Sequence, residues 1–257
     1  MAAVNSGQAV QDILAFPLRD RDWVRKLGIA CGLSLANFIV PILPAAVVYG
    51  YVARMMRRMM DEGGPPVLPE WEDWGELLVS GLKLLGAALV YMLPALAVGI
   101  GGYVVMMSLP FVAAILTESQ RMPIGAMPLL SIVGMLGGMA GFGLAMLLGG
   151  AAWIVLPVAL CHQIAAGEFG AAFRLREWWA VLRANVSGFA LTFVIFMGVS
   201  FVMTFVGQVL YLTVVLCCLM PIVMTAISTY TSAVIGALYA EAYRAGAQTA
   251  AATTVDV

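Results

Sequence analysis

Catalysis by a protein chain draws mostly on histidine, cysteine and carboxylates, and here few of them stand in usable places. His162 is the only histidine and lies beside Cys161 and Gln163. A proton relay would need acidic or basic partners in the same apolar surroundings, and a metal site would need three or four ligands. Neither is visible in the neighbouring sequence, so His162 reads as a packing residue. Cys31, Cys161, Cys217 and Cys218 lie in or beside apolar stretches without CxxC or Cys/His finger spacing, and read as small core residues. Glu70, Glu72, Asp73 and Glu76 are the densest carboxylates. Their spacing suits a solvated helix face and not a cation-binding loop. No GxSxG elbow, Walker loop or set of paired acids within an apolar run is present. A lipid-acting enzyme would have to build its site from His162, Glu168, Glu177 and Glu241, and ranks last. The expectation is a non-enzymatic protein with no catalytic residue, no metal and no cofactor.

The elements that would position such groups are set by composition. Of 257 residues, 63% are hydrophobic and 11% charged, and the mean hydropathy is +0.99. Soluble domains carry about 25% charged residues, so lipid is the expected solvent. Net charge is -1 and the basic residues sit in short clusters, which excludes a nucleic-acid partner. Four runs lack Asp, Glu, Lys and Arg: Leu27–Ala53, Leu84–Thr117, Met122–Gly167 and Ala184–Ala240. With roughly 20 apolar residues per span, the first two hold one span each. The last two hold two each, with turns near Gly149-Gly150 and Gly207–Leu210. The expected fold is therefore an all-α polytopic bundle of about six spans. Pro41 and Pro44 leave a second reading open, in which the first run re-enters and the count is five plus a dip.

Five tryptophans, Trp23, Trp71, Trp74, Trp178 and Trp179, fall just outside the charge-free runs, as interfacial anchors do. They belong to three segments of one plan, a short aromatic and charged helix followed by a long apolar one: Asp20–Lys26, Leu68–Glu76 and Phe173–Trp179. In the second, Trp71, Trp74, Leu78 and Leu82 share one helix face, while Glu72, Asp73 and Glu76 take the other. In the third, Ala172, Leu175, Trp179 and Leu182 form the apolar stripe. Two or three interfacial amphipathic helices are expected, as anchors or as docking surfaces for a partner or lipid. Glycines at four-residue spacing, Gly28/Gly32, Gly134/Gly138 and Gly137/Gly141, are candidate helix-packing positions.

Residues 14–245 read as one membrane domain between disordered tails at 1–13 and 246–257. Met1–Gln11 lack a basic region followed by an apolar one, so insertion is expected through the first membrane segment. With six spans, nine Lys and Arg fall on one side and four on the other, which puts both termini in the cytoplasm of a cell-membrane protein.

The stretch from Tyr49-Gly50-Tyr51 through Arg54, Arg57 and Leu68-Pro69-Glu70-Trp71-Glu72-Asp73-Trp74-Gly75-Glu76-Leu77 to Gly81-Leu82-Lys83 resembles the signature of a prokaryotic membrane family, the domain of unknown function numbered 4013. Phe16-Pro17, Asp22-Trp23, Gly167–Phe173 and Tyr239–Arg244 fit the same pattern, so the likeness covers roughly residues 14–245. It implies a multi-pass membrane protein of archaea or bacteria and carries no established activity, so no site residue transfers. Two functional readings remain. One is a scaffold or accessory subunit whose partners are the bilayer and other membrane subunits. The other is a transporter or permeability protein for a small or lipid-like solute, which the broken helices and repeated segments would suit.

Overall fold

The computed structural model describes residues 7–119, 123, 125–212 and 220–255. Among them every regular element is helical: α1 Gly7–Arg19, α2 Trp23–Ala36, α3 Leu43–Glu62, α4 Trp74–Glu118, α5 Ala126–Ala166, a 3-10 turn Phe169–Phe173, α6 Leu175–Ala184, α7 Val186–Leu212 and α8 Met220–Val255. Four are long and apolar enough to cross a membrane: α4, α5, α7 and α8. This is an all-helical membrane protein.

Three sequence expectations change. The first run is not one span. It breaks over Asn37–Ile42, where Pro41 lacks an N–H, Ile42 has φ 77° and the Asn37 side chain accepts the Ile42 N–H at 3.0 Å. At about 1.5 Å per residue, α2 is too short to cross, and α3 carries Arg54, Arg57 and Arg58. The third run has no turn at Gly149-Gly150, because α5 continues through both. The fourth run does divide in two, but α7 passes through Gly207–Leu210 and the connection lies after Leu212. Cys217 and Cys218 lie outside the described residues. Helix also enters both expected tails, from Gly7 and as far as Val255, while residues 1–6 lie outside the description.

The chain divides into two compact units, Met1–Ala87 with Pro157–Val257, and Ala88–Leu156. Composition alone does not mark this division, since the same apolar runs pass through both. In the first unit α8 is the hub, packed by α1, α2, α3, α6 and α7. Every residue from Ala233 to Tyr243 is buried, so this stretch has neighbours around its whole circumference.

Close approach of α3 and the start of α4 depends on two glycines. A Cβ on Gly50 would overlap the Leu77 carbonyl, and one on Gly81 would overlap the Ala46 carbonyl. The pairing is reciprocal and antiparallel, with backbone against backbone at both points. The second unit is an antiparallel helix pair with the same device. Gly141 faces Gly102 at 2.8 Å from its would-be Cβ, and Gly138 faces Met106 at 2.5 Å. Gly134 and Gly137 meet Leu109 and Val105, so these four glycines pack helices as expected. Gly28 and Gly32 do not, for a Cβ on either would meet open space.

These contacts predict opposite outcomes for similar changes. Gly81→Ala and Gly50→Ala should each abolish the monodisperse detergent-solubilised species. Gly28→Ala, exposed inside α2, should raise stability by about 0.5–1 kcal/mol. Size-exclusion profiles and thermal unfolding of the three variants check this.

Candidate functional site

The segment between α3 and α4 is not the amphipathic helix its periodicity suggests. Gly63–Asp73 is an irregular strap, and helix begins only at Trp74. Three of its carbonyls accept from side chains of α2 and α3 and not from a helical ladder. Lys26 Nζ donates to Leu68 O at 2.8 Å, Tyr51 Oη to Pro69 O at 2.9 Å and Arg54 Nη1 to Glu72 O at 2.8 Å. Three prolines, Pro65, Pro66 and Pro69, remove donors as well.

Lys26 is the clasp of this strap. Its side chain is 6% exposed, and Nζ also reaches Asp20 Oδ2 and Glu70 Oε1, both at 2.9 Å. The three ammonium protons thus have three acceptors. Arg25 holds the other Glu70 oxygen at 2.7 Å. The Lys26 hydrogen bond holds the Glu70 carboxyl below its ordinary range. For Asp20 burial pushes upward, but the hydrogen bonds from Lys26 and the Asp22 N–H outweigh it and the carboxyl lies low. For Lys26 burial pushes downward, and the two carboxylates more than reverse it, so its pKa is raised. Burial, then the charges of Asp20 and Glu70, raise the Tyr51 phenol.

Trp71 closes the clasp. It is buried, stacks on Tyr51 at 4.0 Å and 6°, and donates Nε1–H to Lys26 O at 3.0 Å. Trp178 is likewise buried and donates to Ala172 O at 3.2 Å. These two are core residues and not headgroup anchors, because each indole N–H finds a carbonyl inside the protein. Trp23, Trp74 and Trp179 are exposed, Trp179 with Arg183 over its ring at 5.3 Å. On α6 the buried face is Trp178 and Val181, one position off the expected stripe, while Leu175 and Trp179 face outward. Glu76 pairs with Arg54 at 3.0 Å, whereas the side chains of Glu72 and Asp73 are exposed.

A second polar group gathers at the end of α5. His162 Nδ1 lies 2.6 Å from Tyr243 Oη, and Nε2 lies 3.0 Å from Glu177 Oε2. Arg174 bridges Glu168 at 2.7 Å and Glu177 at 3.8 Å. Three of the four groups that an enzyme would draw on are therefore brought together. Glu241 is buried and engaged by Arg244 at 2.8 Å. The cluster couples a histidine to a carboxylate and a phenol, and every member is hydrogen-bonded across α5, α6 and α8. No group of three metal-ligating side chains occurs among the described residues.

Beside it, Arg54, Arg57, Glu76, Ser80, Lys83 and Gln163 line a cavity of about 80 Å³. Arg57 Nε donates to Ile164 O at 3.1 Å, satisfying one of the last carbonyls of α5. Gly167, at φ 73°, leaves the room that the Arg57 guanidinium occupies.

The model of a family described as protein of unknown function (DUF4013) matches residues 33–212. The chain belongs to this family. No curated protein and no solved structure matches it. The DUF4013 match spans α3, the strap, α4, α5, α6 and α7, with the whole cavity lining. Lys26, Asp20 and all of α8 lie outside it, as do the Phe16-Pro17, Asp22-Trp23 and Tyr239–Arg244 likenesses.

The clasp generates a stability prediction. Lys26→Met leaves the mostly buried Asp20 without its cation, and should cost about 3 kcal/mol by thermal or denaturant unfolding. In the wild type, the depressed Asp20 and Glu70 pKa values stabilise the fold fully above their unfolded values of about 4, and this contribution is lost as pH falls through the folded ones. The raised Lys26 pKa stabilises below about 10.4 and is lost as pH rises through its folded value. Stability of Lys26→Met should be flatter at both edges.

Proposed function

We propose that this membrane protein is a non-enzymatic scaffold or accessory subunit of a larger membrane assembly. The observation that carries the reading is helix length against exposure. The charge-free part of α4, Leu84–Thr117, is about 51 Å long at 1.5 Å per residue. The hydrocarbon core is about 30 Å thick. Fitting this stretch within it requires a tilt of about 54°, beyond the roughly 0–40° that spans adopt. Yet the most apolar windows of α4, α5 and α7 are only 11%, 17% and 11% buried within the chain. Apolar helix surface that exceeds what lipid covers suits apolar spans of other subunits.

Four spans also favour one orientation. Of the 13 Lys and Arg, Arg121 alone falls between α4 and α5, and none falls between α7 and α8. All the rest sort to the side of the termini, which supports cytoplasmic termini. Extraction in mild detergent should therefore yield a species well above the 27.2 kDa of the chain, with a partner at fixed stoichiometry. A lone chain by native mass measurement counts against the scaffold.

A second reading rests on a separate feature. The α2–α3 break faces hydroxyl groups of α8, so that Ser34, Asn37, Ser228, Thr229 and Ser232 line an uncharged cavity of about 190 Å³. Thr229 and Ser232 return their hydroxyl protons to carbonyls four residues back, leaving oxygen lone pairs for a solute donor. Under this reading, proteoliposomes should pass a small neutral polyol faster than empty vesicles, and Ser228→Leu should stop that flux.

A further inference from the structure

We propose that the cavity between α3, the first turns of α4 and the end of α5 binds the phosphate of an anionic phospholipid headgroup. Charge balance comes first. Arg54 is neutralised by Glu76, while neither Arg57 nor Lys83 has a carboxylate partner among the described residues. Two positive charges therefore face one cavity of about 80 Å³, with room for one phosphate group. Donor geometry follows. Arg57 spends only Nε on Ile164 O, and its two terminal nitrogens have no protein acceptor among the described residues. A guanidinium held at one edge presents the other edge as a fork matched to phosphate oxygens. The Ser80 hydroxyl and the Gln163 amide, whose buried Oε1 has no protein donor, line the same space.

The depth is that of a headgroup. Lys83 is the last charge before the apolar run that opens at Leu84, and Glu168 is the first after the run that closes at Gly167. Leu77, Leu84 and Ile164 continue the lining on the apolar side, where acyl chains would leave. Capping of α5 explains the position of Arg57 but not that of Lys83, which caps nothing. The side on which the basic residues collect is also the one whose leaflet holds anionic lipid in a cytoplasm-facing arrangement. The proposal needs a membrane but no partner subunit, so a failed search for partners leaves it standing.

The test uses the full chain, delipidated in non-ionic detergent, titrated separately with short-chain phosphatidylglycerol, short-chain phosphatidylcholine and sodium phosphate. Binding is read by native mass spectrometry and by the shift in unfolding temperature. Saturable one-to-one binding of phosphatidylglycerol is expected, weakened about tenfold or more in both Lys83→Gln and Arg57→Gln. Arg58→Gln, one residue away and outside the lining, should stay within twofold. Because Arg57 also caps α5, the exposed Lys83 carries the decision if Arg57→Gln folds poorly. Equal binding of sodium phosphate alone, lost in Lys83→Gln, overturns the lipid as source and assigns the site to free phosphate. Phosphatidylglycerol binding that Lys83→Gln leaves unchanged, or no saturable binding by either probe, overturns the site.

Discussion

A helix buried on every side needs neighbours that can come close, and α8 has them between Ala233 and Tyr243. Small residues dominate this stretch, with Ala233, Gly236, Ala237, Ala240 and Ala242 admitting five surrounding helices. A Cβ on Gly236 would stand 2.7 Å from Val52, and one on Gly246, just beyond the stretch, 2.7 Å from the Val181 carbonyl. Two polar side chains of the stretch have partners, while the buried Tyr239 hydroxyl has none among the described residues. Glu241 takes Arg244, Tyr243 takes His162, and the Ala242 carbonyl accepts a second hydrogen bond from Asn185 at 2.9 Å. With all sides occupied, α8 fixes where α3 and α6 lie, and through them the strap and the end of α5.

Charged side chains in this unit therefore act chiefly as fasteners. Lys26 saturates its three protons on Asp20, Glu70 and Leu68, which fixes the strap against α2. Leaving Lys26 or Asp20 buried and unpaired would cost several kcal/mol, so register along the strap is tightly specified. Arg54 does the same at the strap's far end, through the Glu72 carbonyl and the Glu76 carboxylate. Against this background of pairing, Arg57 and Lys83 stand out, because both face one cavity without a carboxylate partner among the described residues.

Sequence reading located the apolar mass and missed the joints, for identifiable reasons. Charge-free runs are legible because a buried charge is costly in lipid, and all four spans lie largely within them. Gly149-Gly150 looks like a turn in sequence, while in α5 Gly149 lies inside the helix against Ala95. The strap was read as helix because Trp71, Trp74, Leu78 and Leu82 keep helical spacing. What overrides that spacing is a set of hydrogen bonds from Lys26, Tyr51 and Arg54, between 18 and 42 residues away, invisible to any local window. Similarly, Gly28 and Gly32 have the packing spacing but no facing helix. Gly50 and Gly81, which do, are not spaced with another glycine and find their partner in the opposite strand of backbone. The leftover pair Arg57 and Lys83 had no sequence signal, since only the fold shows which cations are spent.

Charge sorting and helix length act together on how this chain sits in a bilayer. Between the apolar runs of α4 and α5 the sequence carries only Glu118 and Arg121 as charges, so little there resists translocation. The clasp, the strap and the polar end of α5 would all lose hydrogen bonds if drawn into hydrocarbon. Lys83 and Glu168 bound the apolar runs of α4 and α5 at one end, and the apolar length of α4 exceeds the hydrocarbon thickness. A bilayer alone answers such surplus by tilt or local thickening, at fractions of a kcal/mol per Å. Summed over a surplus of about 20 Å for Leu84–Thr117, that cost reaches several kcal/mol, comparable with what helix association in lipid supplies. The same mismatch, apolar helix length in excess of what lipid covers, is the physical ground of the proposed assembly.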